Sequence, residues 1–129
     1  AEGRTVPPVL RGTWRADSGY RAGLEIAANP DVSAVFTAND QMALGVLRAL
    51  HESGRRVPED VSIVGFDNTE ESAEYWPPLT TIHQDFAGAG AQAMSLLFDA
   101  IEGRDVTAGV RTLSTDLVVR QSTGPYIAR

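Results

Sequence analysis

The spacing of apolar and polar positions changes several times along the chain, and each change predicts an element. A helix is expected to start near Asp17 or Ser18, either a competent N-cap, and to stop before Asn29-Pro30, with Leu24, Ile26 and Ala27 apolar. The run Ser33-Ala-Val-Phe-Thr-Ala38 reads as a strand between buried surfaces, and Val9-Leu10-Arg11 as a shorter one. From Asp40 to Glu52 the period becomes helical, with Ala43, Val46, Leu47 and Leu50 on one face and Leu44 and Arg48 on another. Gly54 suits the left-handed end of that helix.

Val61-Ser-Ile-Val-Gly65 is the clearest buried strand, followed by the loop Phe66-Asp-Asn-Thr69. Glu70 to Tyr75 leaves room for one or two helical turns before Pro77-Pro78, and Leu79 to His83 reads as extended. A last helix is predicted from Phe86 to Ile101, with Met94, Leu97, Phe98 and Ile101 as its stripe and Gly103 as its stop. Thr112 to Arg120 alternates as a strand does, and the chain from Gly124 reads as tail. Strands alternating with helices in this way predict an α/β fold with a mostly parallel sheet. About three and a half βα units are present, thin for a doubly wound domain.

Composition adds exclusions. The 129 residues carry 17 acidic and 11 basic side chains, and no basic stripe suited to nucleic acid. Without cysteine there are no disulfides or thiolate metal sites, which fits a cytoplasmic protein. His51 and His83 lack metalloprotease spacing, Ser18-Gly and Ser122-Thr-Gly are not nucleophile elbows, and Gly88-Ala-Gly90 lacks the residues of a phosphate loop. No catalytic set, metal or cofactor is expected. No apolar run approaches the roughly 20 residues that span a bilayer. The first methionine is Met42, so Ala1 is not an initiator, and the polar opening reads as a linker within a longer protein.

Taken in order, Gly12-Thr-Trp14, Ser18-Gly-Tyr20, Ala38-Asn-Asp-Gln-Met-Ala-Leu-Gly45, Arg56-Val-Pro-Glu-Asp-Val-Ser-Ile-Val-Gly-Phe-Asp67, Pro77-Pro-Leu-Thr-Thr-Ile82 and Leu117-Val-Val-Arg120 resemble the effector-binding half of the LacI/GalR family of transcription regulators. The resemblance implies a Rossmann-like, periplasmic-binding-protein-like (type I) fold, here an incomplete C-terminal subdomain. It implies a linker over residues 1–11, that subdomain over 12–82, a crossover helix within 83–110 normally packed on the other subdomain, a returning strand over 111–121 and a tail over 122–129. A DNA-reading helix-turn-helix would lie outside this chain.

A sugar site needs paired amide or carboxylate groups for hydroxyls and aromatic rings for the C–H face. The resemblance implies effector contact at Trp14, Asn39, Asp67 and Phe86, with Gln84 a further member, and favours a galactoside-like sugar. It also implies a two-fold dimer through Leu44, Arg48 and Tyr75, with Trp76 open to either interface or core. Competing local readings stand beside these. Asn39 or Asp40 caps the following helix, and Asp40 is the expected cap, leaving Asn39 free. Asp67 could instead organise a turn, and Trp14 and Phe86 could be packed aromatics. An exported sugar-binding protein of a transport system is the alternative function.

Overall fold

The computed structural model describes residues 7–104, 106 and 109–126. Its elements are α1 (Ala16–Ala28), β1 (Ala34–Phe36), α2 (Asp40–Glu52), β2 (Ser62–Asp67), a short 3-10 helix (Glu70–Glu74), β3 (Thr80–His83), α3 (Phe86–Ile101) and β4 (Asp116–Val118). The sheet has the order β1-β2-β3-β4; its first three strands are parallel, and β4 returns antiparallel to β3. Residues following β1, β2 and β3 therefore emerge at the same sheet edge. The predicted α/β class and mostly parallel sheet are present.

The core lies between α2 and the sheet. Ala43, Val46, Leu47 and Leu50 of α2 are at most 4% exposed and meet Val61, Ile63 and Leu79, all fully buried. Burying each large aliphatic side chain stabilises the fold by about 1.5–3 kcal/mol. The helical period of α2 thus identified the core face correctly. Its C-terminus closes as expected on Gly54, at φ 73°.

α1 packs differently. Its buried residues are Ser18, Gly19 and Gly23, while Leu24 is 43% exposed. Glycines replace side chains because the two helices meet backbone to backbone: a Cβ on Gly45 would fall on the Ala16 carbonyl oxygen, and one on Gly19 on the Met42 carbonyl oxygen. The end of α1 is held by Arg55, whose Nη1 donates to the Asn29 carbonyl (2.9 Å) and whose Nη2 donates to the Val32 carbonyl (2.8 Å).

Several expectations need correction. Residues 9–11 form no strand. α1 begins earlier than either predicted cap, with Arg15 at the N-cap position; Ser18 Oγ instead donates back to the Arg15 carbonyl and accepts from the Thr13 amide. β1 is an edge strand rather than a buried one, and its Phe36 is 64% exposed, edge-on to Phe66. Of the predicted strand over residues 112–120, only Asp116–Val118 pairs. Residues 122–124, expected as tail, close the start of the β2–β3 gap: Ser122 is fully buried, its amide and hydroxyl spanning Pro78, Ile63 and Thr80. The rest of the predicted linker and tail, residues 1–6 and 127–129, lies outside the described residues.

α3 has no buried residue. Its predicted stripe is present but bare, with Met94, Leu97, Phe98 and Ile101 between 49% and 70% exposed.

Candidate functional site

The edge at which β1, β2 and β3 end carries all five candidate residues. In open α/β sheets this carboxyl edge is where ligands bind. Asn39 follows β1, Asp67 ends β2, Gln84 follows β3, Phe86 opens α3, and Trp14 stands just before α1.

Asn39, not Asp40, caps α2. Its Oδ1 accepts the Met42 amide (2.9 Å) and its Nδ2 donates to the Trp14 carbonyl (2.9 Å), so the expectation of a free Asn39 fails. The cap and the Trp14 anchor are one side chain. Trp14 adopts φ 65° and is 65% exposed, so the residue stands at the edge rather than in the core.

Asp40 is displaced from the cap because it has a buried task. Fully buried, its Oδ1 accepts the Thr81 hydroxyl (2.6 Å) and its Oδ2 the Thr69 amide (2.9 Å). One carboxylate in the first turn of α2, where the helix dipole favours negative charge, ties that helix to β3 and to the loop after β2. Gly65 makes room for it: a Cβ there would overlap Asp40 Oδ1.

Asp67 and Asn68 adopt consecutive positive φ values of 111° and 55°. Such backbone costs on the order of 1–3 kcal/mol per residue and persists only when its surroundings impose it. Here they do. Gln84 Nε2 donates to Asp67 Oδ1 (2.8 Å), and Asn68 is gripped by Arg120 Nη2 (2.7 Å) on one side and faces His83 Nδ1 (3.2 Å) on the other. Asp67 also pairs with His83 across the β2–β3 ladder. The structure thus brings together Asp67 with Gln84, and Trp14 with Asn39. Phe86, 61% exposed, stands after the Asp85 cap of α3.

Sequence reading missed Asp40, Asn68, His83 and Arg120. Their partners lie up to 52 residues away, and no local pattern announces such pairs.

The proposed interface residues differ among themselves. Leu44 is 42% exposed on α2. Arg48 is engaged within the chain, donating to Glu52 (2.8 Å) and lying 5.0 Å over the Tyr20 ring. The Tyr20 hydroxyl donates to the same Glu52 (2.6 Å). Tyr75 packs against the core cluster, and burial raises its phenol pKa. Trp76, left open between core and interface, is 85% exposed.

Two clefts lie elsewhere. One of about 480 Å³ opens at the opposite sheet edge, between Pro30, Pro58, Ser62 and Gly124, and one of about 350 Å³ beside His51, Arg55 and Trp76. Neither contains a candidate residue. The candidates other than the buried Asn39 line an open edge, and their chemistry, not enclosure, marks it: a carboxylate and the Gln84 amide for hydroxyl groups, and two exposed aromatic residues. Among the described residues, no cluster of His, Asp and Glu could hold a metal ion, and no helix is long and apolar enough to cross a membrane.

Comparison with known proteins agrees with this architecture. Residues 3–123 match the periplasmic binding protein-like domain family. The HTH-type transcriptional repressor PurR of Pasteurella multocida is 44% identical over 115 residues, which are 88% of this chain and 34% of that protein. The chain therefore spans about a third of the length of the curated relatives it matches. The lac repressor dimer bound to operator and the anti-inducer ONPF superposes with TM-score 0.81 at 44% identity, covering 87% of this chain and 39% of that one. The complex of the transcriptional regulator CelR with cellobiose gives TM-score 0.78, also at 44% identity, covering 86% and 34%. With a match that runs from the polar opening through the returning β4 segment, the chain belongs to the periplasmic binding protein-like domain family, and its homologues are LacI-family repressors.

Proposed function

We propose that this chain is the effector-sensing part of a LacI-type transcriptional repressor, holding a small, galactoside-like sugar at the carboxyl edge of β1–β3. The observation that carries the reading is the Asp67 carboxylate, carried on positive-φ backbone and buttressed by Gln84, at the same sheet edge as the Trp14–Asn39 pair. A carboxylate accepts from two adjacent hydroxyls, Gln84 extends the polar set, and the exposed Trp14 and Phe86 rings suit the C–H face of a pyranose. The similarity to a cellobiose-bound regulator supports a sugar, and the equal identity to PurR makes a purine the competing ligand.

In this reading the protein performs no chemistry. Binding across the edge favours one of two arrangements of the sensor and so changes the spacing of DNA-reading heads that lie outside this chain. A dimer formed through the Leu44 and Arg48 face, with Tyr75 behind it, delivers that change to two half-sites, and a cytoplasmic location goes with the role.

Calorimetric titration of the intact protein that carries this chain tests the proposal. Heat with a galactoside, abolished by Asp67→Asn, is the expected result. No heat with any galactoside, together with clear binding of a purine, would overturn the sugar assignment.

A further inference from the structure

A polar chain behind the candidate site joins the β4 segment to Asn68, the residue after Asp67. Arg120, two residues beyond β4, divides its guanidinium between two tasks. Nη1 donates to the Leu79 carbonyl (2.7 Å) and the Ser72 hydroxyl (3.3 Å), while Nη2 donates to Asn68 Oδ1 (2.7 Å).

A guanidinium only donates, so the Asn68 oxygen must face it and the amide nitrogen must face away. That nitrogen lies 3.2 Å from His83 Nδ1. It too only donates, so Nδ1 accepts and the neutral imidazole carries its proton on Nε2. His83 pairs in the ladder with Asp67, and its neighbour Gln84 donates to the Asp67 carboxylate (2.8 Å). The side-chain contacts run from Arg120 to Asn68 to His83, and Asn68 directly follows Asp67, both on positive-φ backbone.

On the effector-site reading above, we infer that Arg120 is a positioning residue for ligand binding, acting through Asn68 to hold the left-handed Asp67–Asn68 backbone, and with it the Asp67 carboxylate, in its binding orientation. The arm to Asn68 serves the site; the arm to Leu79 and Ser72 serves the fold. The two arms can be separated. Asn68→Gly keeps a residue suited to φ 55° while removing the link and leaving Arg120 its other contacts. Arg120→Lys keeps the charge but replaces the planar fork with a single ammonium that cannot reproduce both arms.

The test uses the intact protein, methyl β-galactoside as titrant, Asp67→Asn as the site control, and nitrogen NMR of histidine to read the His83 tautomer. Asn68→Gly should weaken binding about tenfold, the scale of one charge-assisted hydrogen bond, with little change in thermal midpoint. In the same variant His83 should lose its single Nε2–H tautomer, which reports that the Asn68 link is broken, while the binding loss at an unchanged midpoint separates positioning from a purely structural role. Arg120→Lys should weaken binding and also lower the midpoint. If Asp67→Asn abolishes binding while both other variants bind as wild type, the positioning role is wrong and the site stands. Binding losses that only follow the midpoint also overturn it. A wild-type protein that gives no heat, or an Asp67→Asn variant that binds normally, overturns the site reading and the positioning role with it.

Discussion

Replacing Gly45 by alanine should separate α1 from α2, although alanine is the better helix former. The added methyl would fall on the Ala16 carbonyl oxygen and lie 2.5 Å from the Tyr20 amide nitrogen. Both obstacles are backbone, so no rotamer change relieves them. Overpacking of this kind costs about 1–3 kcal/mol, and a rigid obstacle belongs at the upper end. Helix propensity returns roughly 0.5–1 kcal/mol. The net is a destabilisation of about 2 kcal/mol, or roughly 8 °C in thermal midpoint for a chain of this size. Gly90 provides the control, since a Cβ there meets nothing within 4 Å. Gly90→Ala should therefore show the opposite sign, a gain of roughly 0.5–1 kcal/mol. Paired thermal and urea unfolding, followed by circular dichroism, measures both. A Gly45→Ala midpoint at or above wild type would refute the backbone-to-backbone account of this helix pair.

Three further expectations follow from other contacts. Arg55→Ala removes donors from the carbonyls of Asn29 and Val32 at the end of α1 and should cost about 2–3 kcal/mol in urea unfolding, whereas an unchanged midpoint would mean that water replaces the guanidinium. The Tyr20 hydroxyl, and after it Arg48, lowers the Glu52 pKa, while that same Glu52 contact raises the Tyr20 pKa. The Tyr20–Glu52 contribution is thus complete above about pH 4.5 and lost as pH falls through the lowered Glu52 value; it is complete below about pH 10 and lost as pH rises through the raised Tyr20 value. The stability gap between wild type and Tyr20→Phe should be flat between these limits and close beyond them; a gap unchanged down to pH 3 would count against the bond. Finally, the bare α3 stripe and the β1 edge should make this chain self-associate in a concentration-dependent way. Light scattering from a monodisperse, cooperatively unfolding monomer would contradict that.

What could be read from the sequence, and what could not, divides along a physical line. α2 was legible because its core face is made of side chains: Ala43, Val46, Leu47 and Leu50 repeat at helical spacing and all are buried. The buried face of α1 is made of Ser18, Gly19 and Gly23, so a hydrophobic pattern drew attention to Leu24 instead, which is 43% exposed. For β1, an apolar run could not reveal that its strand lies at the edge of the sheet. The candidate site divides in the same way. Its bearers could be named because polar residues after strands are a local signal. Their supports could not, because each is a long-range polar pair.

The helix cap shows why this matters for function. Asn39 and Asp40 are equally good caps by local rule, and the choice is made 41 residues away, by the Thr81 hydroxyl that draws Asp40 into the core. Asn39 is left to cap α2 and, with the same amide, to hold the Trp14 carbonyl. A change at Asn39 therefore acts on the indole as well as on the helix. Trp14 and Asn39 should behave as one unit in ligand binding, and their effects should not add. In a double-mutant cycle on the intact protein, Asn39→Ala should weaken binding markedly in the Trp14 background but far less once Trp14 has become alanine. Fully additive losses would mean that the two residues meet the ligand independently, and that the hydrogen bond between them plays no part in shaping the site.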